Sequence, residues 1–145
     1  MPRKNYDIIC RINCLTEETD SLYHQAAVRL GVSDSVLFIL YMIYINGERC
    51  LLYDIYKSSG ISKQTINSAI RKLEEQEIVY LEKQGGKNKT VCLTQKGKTY
   101  ANKTAEKLLD AEYNAFSNWS EEEIEVYLRL IQKYNSSLRE QIQNL

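Results

Sequence analysis

Proline occurs once in the 145 residues, at position 2. Every later position therefore keeps its backbone N–H and a free φ, so nothing beyond it is barred from helix. Histidine also occurs once, as His24. With no second close cysteine pair to join Cys10 and Cys14, a zinc site would be short of ligands. His24 has no nucleophile–base set or phosphate loop beside it, so an ordinary core or surface role is expected for it. The expectation is a chain with no metal, no cofactor and no catalytic residues. The most apolar stretch, VLFILYMIYI, is too short to span a bilayer, and the opening MPRKNYDIICRINC lacks the apolar segment of a secretory signal. A cytoplasmic protein that avoids membranes is expected. Structural disulfides among Cys10, Cys14, Cys50 and Cys92 are not expected in that compartment. Cys10 and Cys14 are four apart, which places them on one face of a helix.

Net charge is also absent, with 19 basic and 19 acidic side chains, but the balance is an average over unlike parts. Residues 57–103 hold ten basic and four acidic groups, a net of +6. Residues 1–56 carry a net of −2 and residues 104–145 a net of −4. A basic middle between acidic ends fits a polyanionic partner, and chance clustering on a solvated surface fits equally well.

What is present is mostly helical periodicity. Residues 6–15 and 17–30 place Ile8, Ile9, Ile12, Leu15, Leu22, Ala26, Val28 and Leu30 at helical spacings, and Gly31 follows as a stop. Ser33 can cap a second helix, DSVLFILYMIYI, which is apolar on nearly every side and belongs at the centre of a core. A short helix in LLYDIYKSSG precedes a longer one in SKQTINSAIRKLEEQ. The longer helix has Ser62 at its N-cap and one apolar stripe of Ile66, Ala69, Ile70 and Leu73. IVYLEKQ and KTVCLT then alternate at period two about a GGKN turn, which predicts a hairpin with Val79, Leu81, Val91 and Leu93 on a single buried face. Residues 97–115 return to a modestly amphipathic helix. In WSEEEI, Ser120 and Glu123 form a capping box, and Trp119 with Ile124 fit a hydrophobic staple. Beyond it Ile124, Leu128, Ile131, Leu138, Ile142 and Leu145 make a heptad-like seam, suited to a partner helix or to the chain's own core.

A helix, a short turn, a second helix and a glycine-tipped hairpin, in that order, describe a winged helix-turn-helix. The second helix offers Ser62, Lys63, Gln64, Thr65, Asn67, Ser68 and Arg71 on the face opposite its stripe. Amide side chains can pair with adenine, Arg or Lys with guanine, and hydroxyls with phosphates or bases. Lys83, Lys87, Asn88 and Lys89 on the hairpin suit phosphate contacts. The competing expectation is a winged-helix protein-interaction module without specific DNA binding. It gains if Glu74, Glu75, Glu77 and Glu82 line the groove-facing side.

The run GISKQTINSAIRKLEEQEIVYLEKQGGKNKTVCLTQKGK resembles the core of the MarR family of bacterial transcription regulators. Thr65, Leu73, Val91, Leu93, Thr94 and Gly97 stand at its motif positions. The stretches LYHQAAVRLGVSDSVLFILYMIY and WSEEEIEVYLRLIQKYNSSL resemble its flanking helices. The resemblance implies one domain over 1–145, mainly α with a small β-hairpin wing. Residues 48–97 would be the DNA-binding lobe, and 1–32 with 105–145 the dimerisation helices of an obligate homodimer. It implies a repressor of double-stranded DNA that is released by a small-molecule effector or an oxidant. Tyr41, Tyr44, Tyr53 and Tyr56 would lie where relatives bind phenolic ligands; the alternative is core and boundary tyrosines with paired hydroxyls. Cys10 and Cys14 would stand near a redox trigger, the mark of a cysteine-based redox-sensing regulator. Two positions depart from the family pattern. Gly85 and Lys87 stand where Asp-x-Arg is common in the wing, and Glu77 stands where glycine usually follows the recognition helix.

Overall fold

The computed structural model describes residues 3–83 and 85–145, so Pro2 and the Gln84 of the expected hairpin turn lie outside the described residues. The elements run α1 (Arg3–Leu30), α2 (Asp34–Ile45), β1 (Arg49–Leu51), α3 (Leu52–Ser58), α4 (Lys63–Glu75), β2 (Val79–Lys83), β3 (Lys89–Leu93), α5 (Gln95–Lys103), α6 (Ala105–Ala115) and α7 (Glu121–Gln143). This is a mainly helical winged helix with one small antiparallel sheet, as the periodicity predicts. Residues up to Leu109 form one compact unit and Asp110–Leu145 a second.

In the first unit the two expected N-terminal segments are one continuous helix, α1. It ends at Gly31, whose φ of +72° places it in the left-handed region. The N–H of Val32 donates to the Ala27 carbonyl and that of Gly31 to Val28, which closes the helix by reversal of the chain. The Ser33 hydroxyl then accepts from the Val36 N–H at 3.3 Å and starts α2. Val36, Leu37, Ile39, Leu40 and Ile43 of α2 are buried, so this helix is the axis of the core. Ile55 from α3, the α4 stripe and Val79, Val91 and Leu93 from the sheet pack around it.

The sheet differs from the expected two-stranded hairpin. Its order is β1-β3-β2, with Arg49–Leu51 pairing antiparallel against β3. Val79 faces Leu93 and Leu81 faces Val91 across the hairpin, the register the alternation predicts. Yet Thr90 and Cys92 on the opposite face of β3 are buried too, so β3 has no single buried face. The reason is its central position. Arg49 of β1 reaches over β3 to bond Glu82 of β2, and Cys92 lies in register with both Arg49 and Tyr80.

Past the sheet, Thr94 caps α5 by accepting from the Gly97 N–H at 2.9 Å. Gly97 is required by space: a Cβ there would stand 1.9 Å from the Ile78 carbonyl oxygen. The single helix expected over 97–115 is broken at Thr104, whose ψ of −81° separates α5 from α6.

In the second unit the expected capping box is present. The Ser120 hydroxyl accepts from the Glu123 N–H at 3.2 Å, and the Glu123 carboxylate accepts from the Ser120 N–H at 2.8 Å. Glu121, Glu122 and Glu123 in the first turn of α7 suit the positive end of its dipole. Trp119 packs edge-on against Phe116 and Tyr127, with ring centroids 5.1 and 5.4 Å apart. Those two rings are its aromatic partners.

Candidate nucleic-acid interface

The polar face of α4 exists because its apolar stripe is fully committed. Ile66, Ala69, Ile70 and Leu73 are all buried, with Ile66 at 0% exposure. Ser62, Lys63, Gln64, Thr65, Asn67, Ser68 and Arg71 are all exposed. The Ser62 hydroxyl accepts from the Thr65 N–H at 3.2 Å and lies 2.9 Å from the Thr65 hydroxyl, so Ser62 starts the helix as well as lining its face. The turn from α3 into α4 is held by the Ser59 hydroxyl, which accepts from the Ile61 N–H at 3.2 Å.

At its other end α4 closes on a residue that is not glycine. The Ile78 N–H donates to the Leu73 carbonyl and the Glu77 N–H to that of Glu74, with Glu77 at φ +57°. This is a reversal that glycine normally serves, and a side chain there costs about 1 kcal/mol. The segment is fixed by other means. The Thr94 hydroxyl donates to the Glu77 carbonyl at 2.6 Å, and Lys96 Nζ to the Gln76 carbonyl at 2.8 Å, where a cation also suits the negative helix end.

The wing presents its expected residues. Gly85 and Gly86 both have positive φ, +47° and +76°, which allows the tight reversal. Lys83, Lys87, Asn88 and Lys89 are exposed. Lys83 and Lys89 are direct register partners across the hairpin. Like charges facing each other on a sheet cost stability, and a polyanion relieves that cost.

Glu82 is half-buried and paired with Arg49, and Glu74, Glu75 and Glu77 lie at the C-terminal end of α4 or just past it. Lys98 is used within the fold, 2.5 Å from Glu48.

The remaining candidates divide. Tyr41, Tyr44 and Tyr56 are half-buried against the core, whereas Tyr53 is exposed. Tyr56 bonds Asn67 of α4, a contact across elements that sequence spacing does not signal. Cys10 and Cys14 are exposed on α1 and are free thiols. Cys50 and Cys92 are buried. Burial, reinforced by Asp54, pushes the Cys50 thiol up. Burial, with Glu82 adding to it, pushes up Cys92. Both therefore stay protonated near neutral pH and are poor nucleophiles. His24 Nδ1 lies 2.9 Å from the Asp34 carboxylate and joins α1 to the first turn of α2. Among the described residues no group of three His, Cys, Asp or Glu could hold a metal ion, and no single helix is long and apolar enough to cross a membrane.

Comparison with known proteins agrees with this geometry. The model of the MarR family matches residues 30–87. The fold is similar to that of a MarR family regulator from Neisseria meningitidis, with a TM-score of 0.79, 16% identity and 98% of each chain covered. It is similar to S. aureus MepR in a DNA complex, with a TM-score of 0.65, 22% identity, and 92% of this chain and 97% of that one covered. It is similar also to Bordetella bronchiseptica BpsR, whose DNA binding is regulated by 6-hydroxynicotinic acid, with a TM-score of 0.64, 14% identity, and 86% and 98% covered. No curated protein matches the chain in sequence.

Proposed function

We propose that the protein is a regulator of the MarR family, whose model matches residues 30–87, and that it acts as a sequence-specific, double-stranded DNA-binding transcriptional repressor. The observation that carries this reading is the division of α4 between a wholly buried stripe and a wholly exposed polar face, beside a wing that holds two lysines in register. The N-terminal half of α4 enters a major groove. There Gln64 and Arg71 read base edges, while Ser68 and Thr65 meet phosphate or base. Lys87 and Lys89 anchor the wing on phosphates. Lysine lacks the rigid fork of arginine, so backbone attachment is the role assigned to the wing.

The protein acts as a homodimer joined through α1 and α7. Both helices leave apolar side chains in solvent, among them Ile8, Leu15 and Leu22 on α1, and Leu128, Leu138 and Ile142 on α7. Exposed apolar surface repeated along two long helices marks an interaction site. A two-fold dimer sets two copies of α4 in successive major grooves, so the operator is a near-palindrome with half-sites about one helical turn apart. An effector releases the DNA only if it binds two lobe spacings with different affinity. BpsR, whose DNA binding is regulated by 6-hydroxynicotinic acid, supports the choice of a small-molecule effector.

Selection of bound sites from random duplex DNA, followed by fluorescence anisotropy, tests the reading. A palindromic site is expected, with affinity that falls steeply as salt rises. Lys87→Ala weakens binding to all sequences and lowers the salt slope by about 1, whereas Gln64→Ala relaxes one position of the site by about 1–3 kcal/mol. If no site is enriched and neither variant alters affinity, the reading is wrong.

A further inference from the structure

Three side chains form a small constellation where the two helices of the helix-turn-helix meet. Tyr56, near the end of α3, is half-buried against the core. Its hydroxyl donates to Asn67 Oδ1 on α4. Lys63 Nζ stands 5.3 Å from the centre of the Tyr56 ring. Lys63 and Asn67 are four apart, so they share one stripe of the exposed face. One aromatic side chain, fixed by the core, thus holds two exposed residues of the face assigned to DNA.

The chemistry of the amide gives this arrangement a consequence. An asparagine that pairs bidentately with adenine accepts from N6–H2 through its oxygen and donates to N7 through its nitrogen. Here the oxygen accepts from the phenol of α3, so the NH2 group is the end of the amide that this bond does not engage. We propose that Tyr56 is a positioning residue for base reading: it fixes the Asn67 amide as a donor, so Asn67 selects a base edge that offers an acceptor, namely purine N7, guanine O6 or thymine O4. Adenine then has no bidentate advantage at that position. The ring of Tyr56 meanwhile holds the Lys63 ammonium by cation–π attraction. This inference rests on the DNA-binding reading and deepens it.

Tyr56→Phe separates the two jobs, because it keeps the ring and its packing and removes only the hydroxyl. Random-duplex selection with sequencing is run on the full chain as wild type, Tyr56→Phe, Asn67→Ala and the double variant. Tyr56→Phe is expected to free the amide and shift one position in each half-site toward adenine by about 3- to 10-fold, the scale of one hydrogen bond. Its salt dependence stays that of wild type. In the Asn67→Ala background the same change has no effect on the site, which isolates the pair from any general loosening. An unchanged site profile for Tyr56→Phe overturns the proposal, as does a uniform loss of affinity across all sequences. If wild type enriches a site and Tyr56→Phe leaves it unaltered, only this inference fails. If wild type enriches none, the DNA-binding reading fails and takes this inference with it.

Discussion

Helices α4 and α7 carry the same kind of sequence signal and meet opposite fates. Each begins at a serine N-cap and each carries an apolar stripe at helical spacing. On α4 the stripe is gone from solvent, with Leu73 at 1% exposure. On α7 no residue is buried, and Leu138 keeps 41% of its surface. Amphipathic spacing reports that a face will be covered. It does not report by what. The stripe on α4 has α2 and the sheet to pack on, so the opposite face can be spent on a ligand. The stripe on α7 is the surface proposed for a second copy of the chain.

Truncating one leucine on each stripe separates these fates. Leu73→Ala is expected to cost about 3 kcal/mol in urea titration, within the usual range for a core cavity, with a loss relative to wild type that is the same at every protein concentration. Leu138→Ala is expected to cost about 1–2 kcal/mol per chain, seen chiefly as a fall in dimer mass by light scattering on dilution. Equal and concentration-independent losses at both sites would collapse the distinction. The two caps come next. Ser62→Ala and Ser120→Ala should each lower stability by about 1 kcal/mol in thermal melts. Only Ser62→Ala should also weaken DNA binding, and a matching loss for Ser120→Ala would count against α4 as the reading helix. The smallest effect lies at the end of α4. Glu77→Gly should raise stability by about 0.5–1 kcal/mol in urea titration, since it relieves a left-handed φ while adding chain entropy to the unfolded state. No gain there would mean that the strain relieved at φ +57° is no larger than that entropy.

Features set by neighbours in sequence were legible. Ser33, Ser62 and Ser120 declare themselves as caps because a cap joins residues three apart. The α4 stripe and the Val79–Leu93 register followed from periods of 3.6 and 2. Features set by distant chain were not. The three residues of β1 are too few to show alternation, and their partner strand lies some forty residues on. Burial of Thr90 and Cys92 goes with the central place of β3, between two strands that the Arg49–Glu82 pair joins though they are not neighbours in the sheet. The break at Thr104 lies inside a helical pattern with no proline or glycine to mark it. The same division holds in the candidate interface. The exposed face of α4 could be read from spacing, but the bond from Tyr56 to Asn67 arises only when two helices meet.

Thr94 and Gly97 have a mechanical consequence. Thr94 fastens the last wing strand to the end of α4 through its hydroxyl and its N–H, which reach the carbonyls of Glu77 and Ile78. Gly97 lets α5 lie against that same Ile78 carbonyl without a side chain between them. Helix α4, the wing and the helix that follows are therefore fastened at one joint. A push on the wing root meets two hydrogen bonds and a close backbone contact at the end of α4, with no side chain between them to yield. Such a joint makes the lobe behave as a key cut from a single piece, which can be turned but not reshaped.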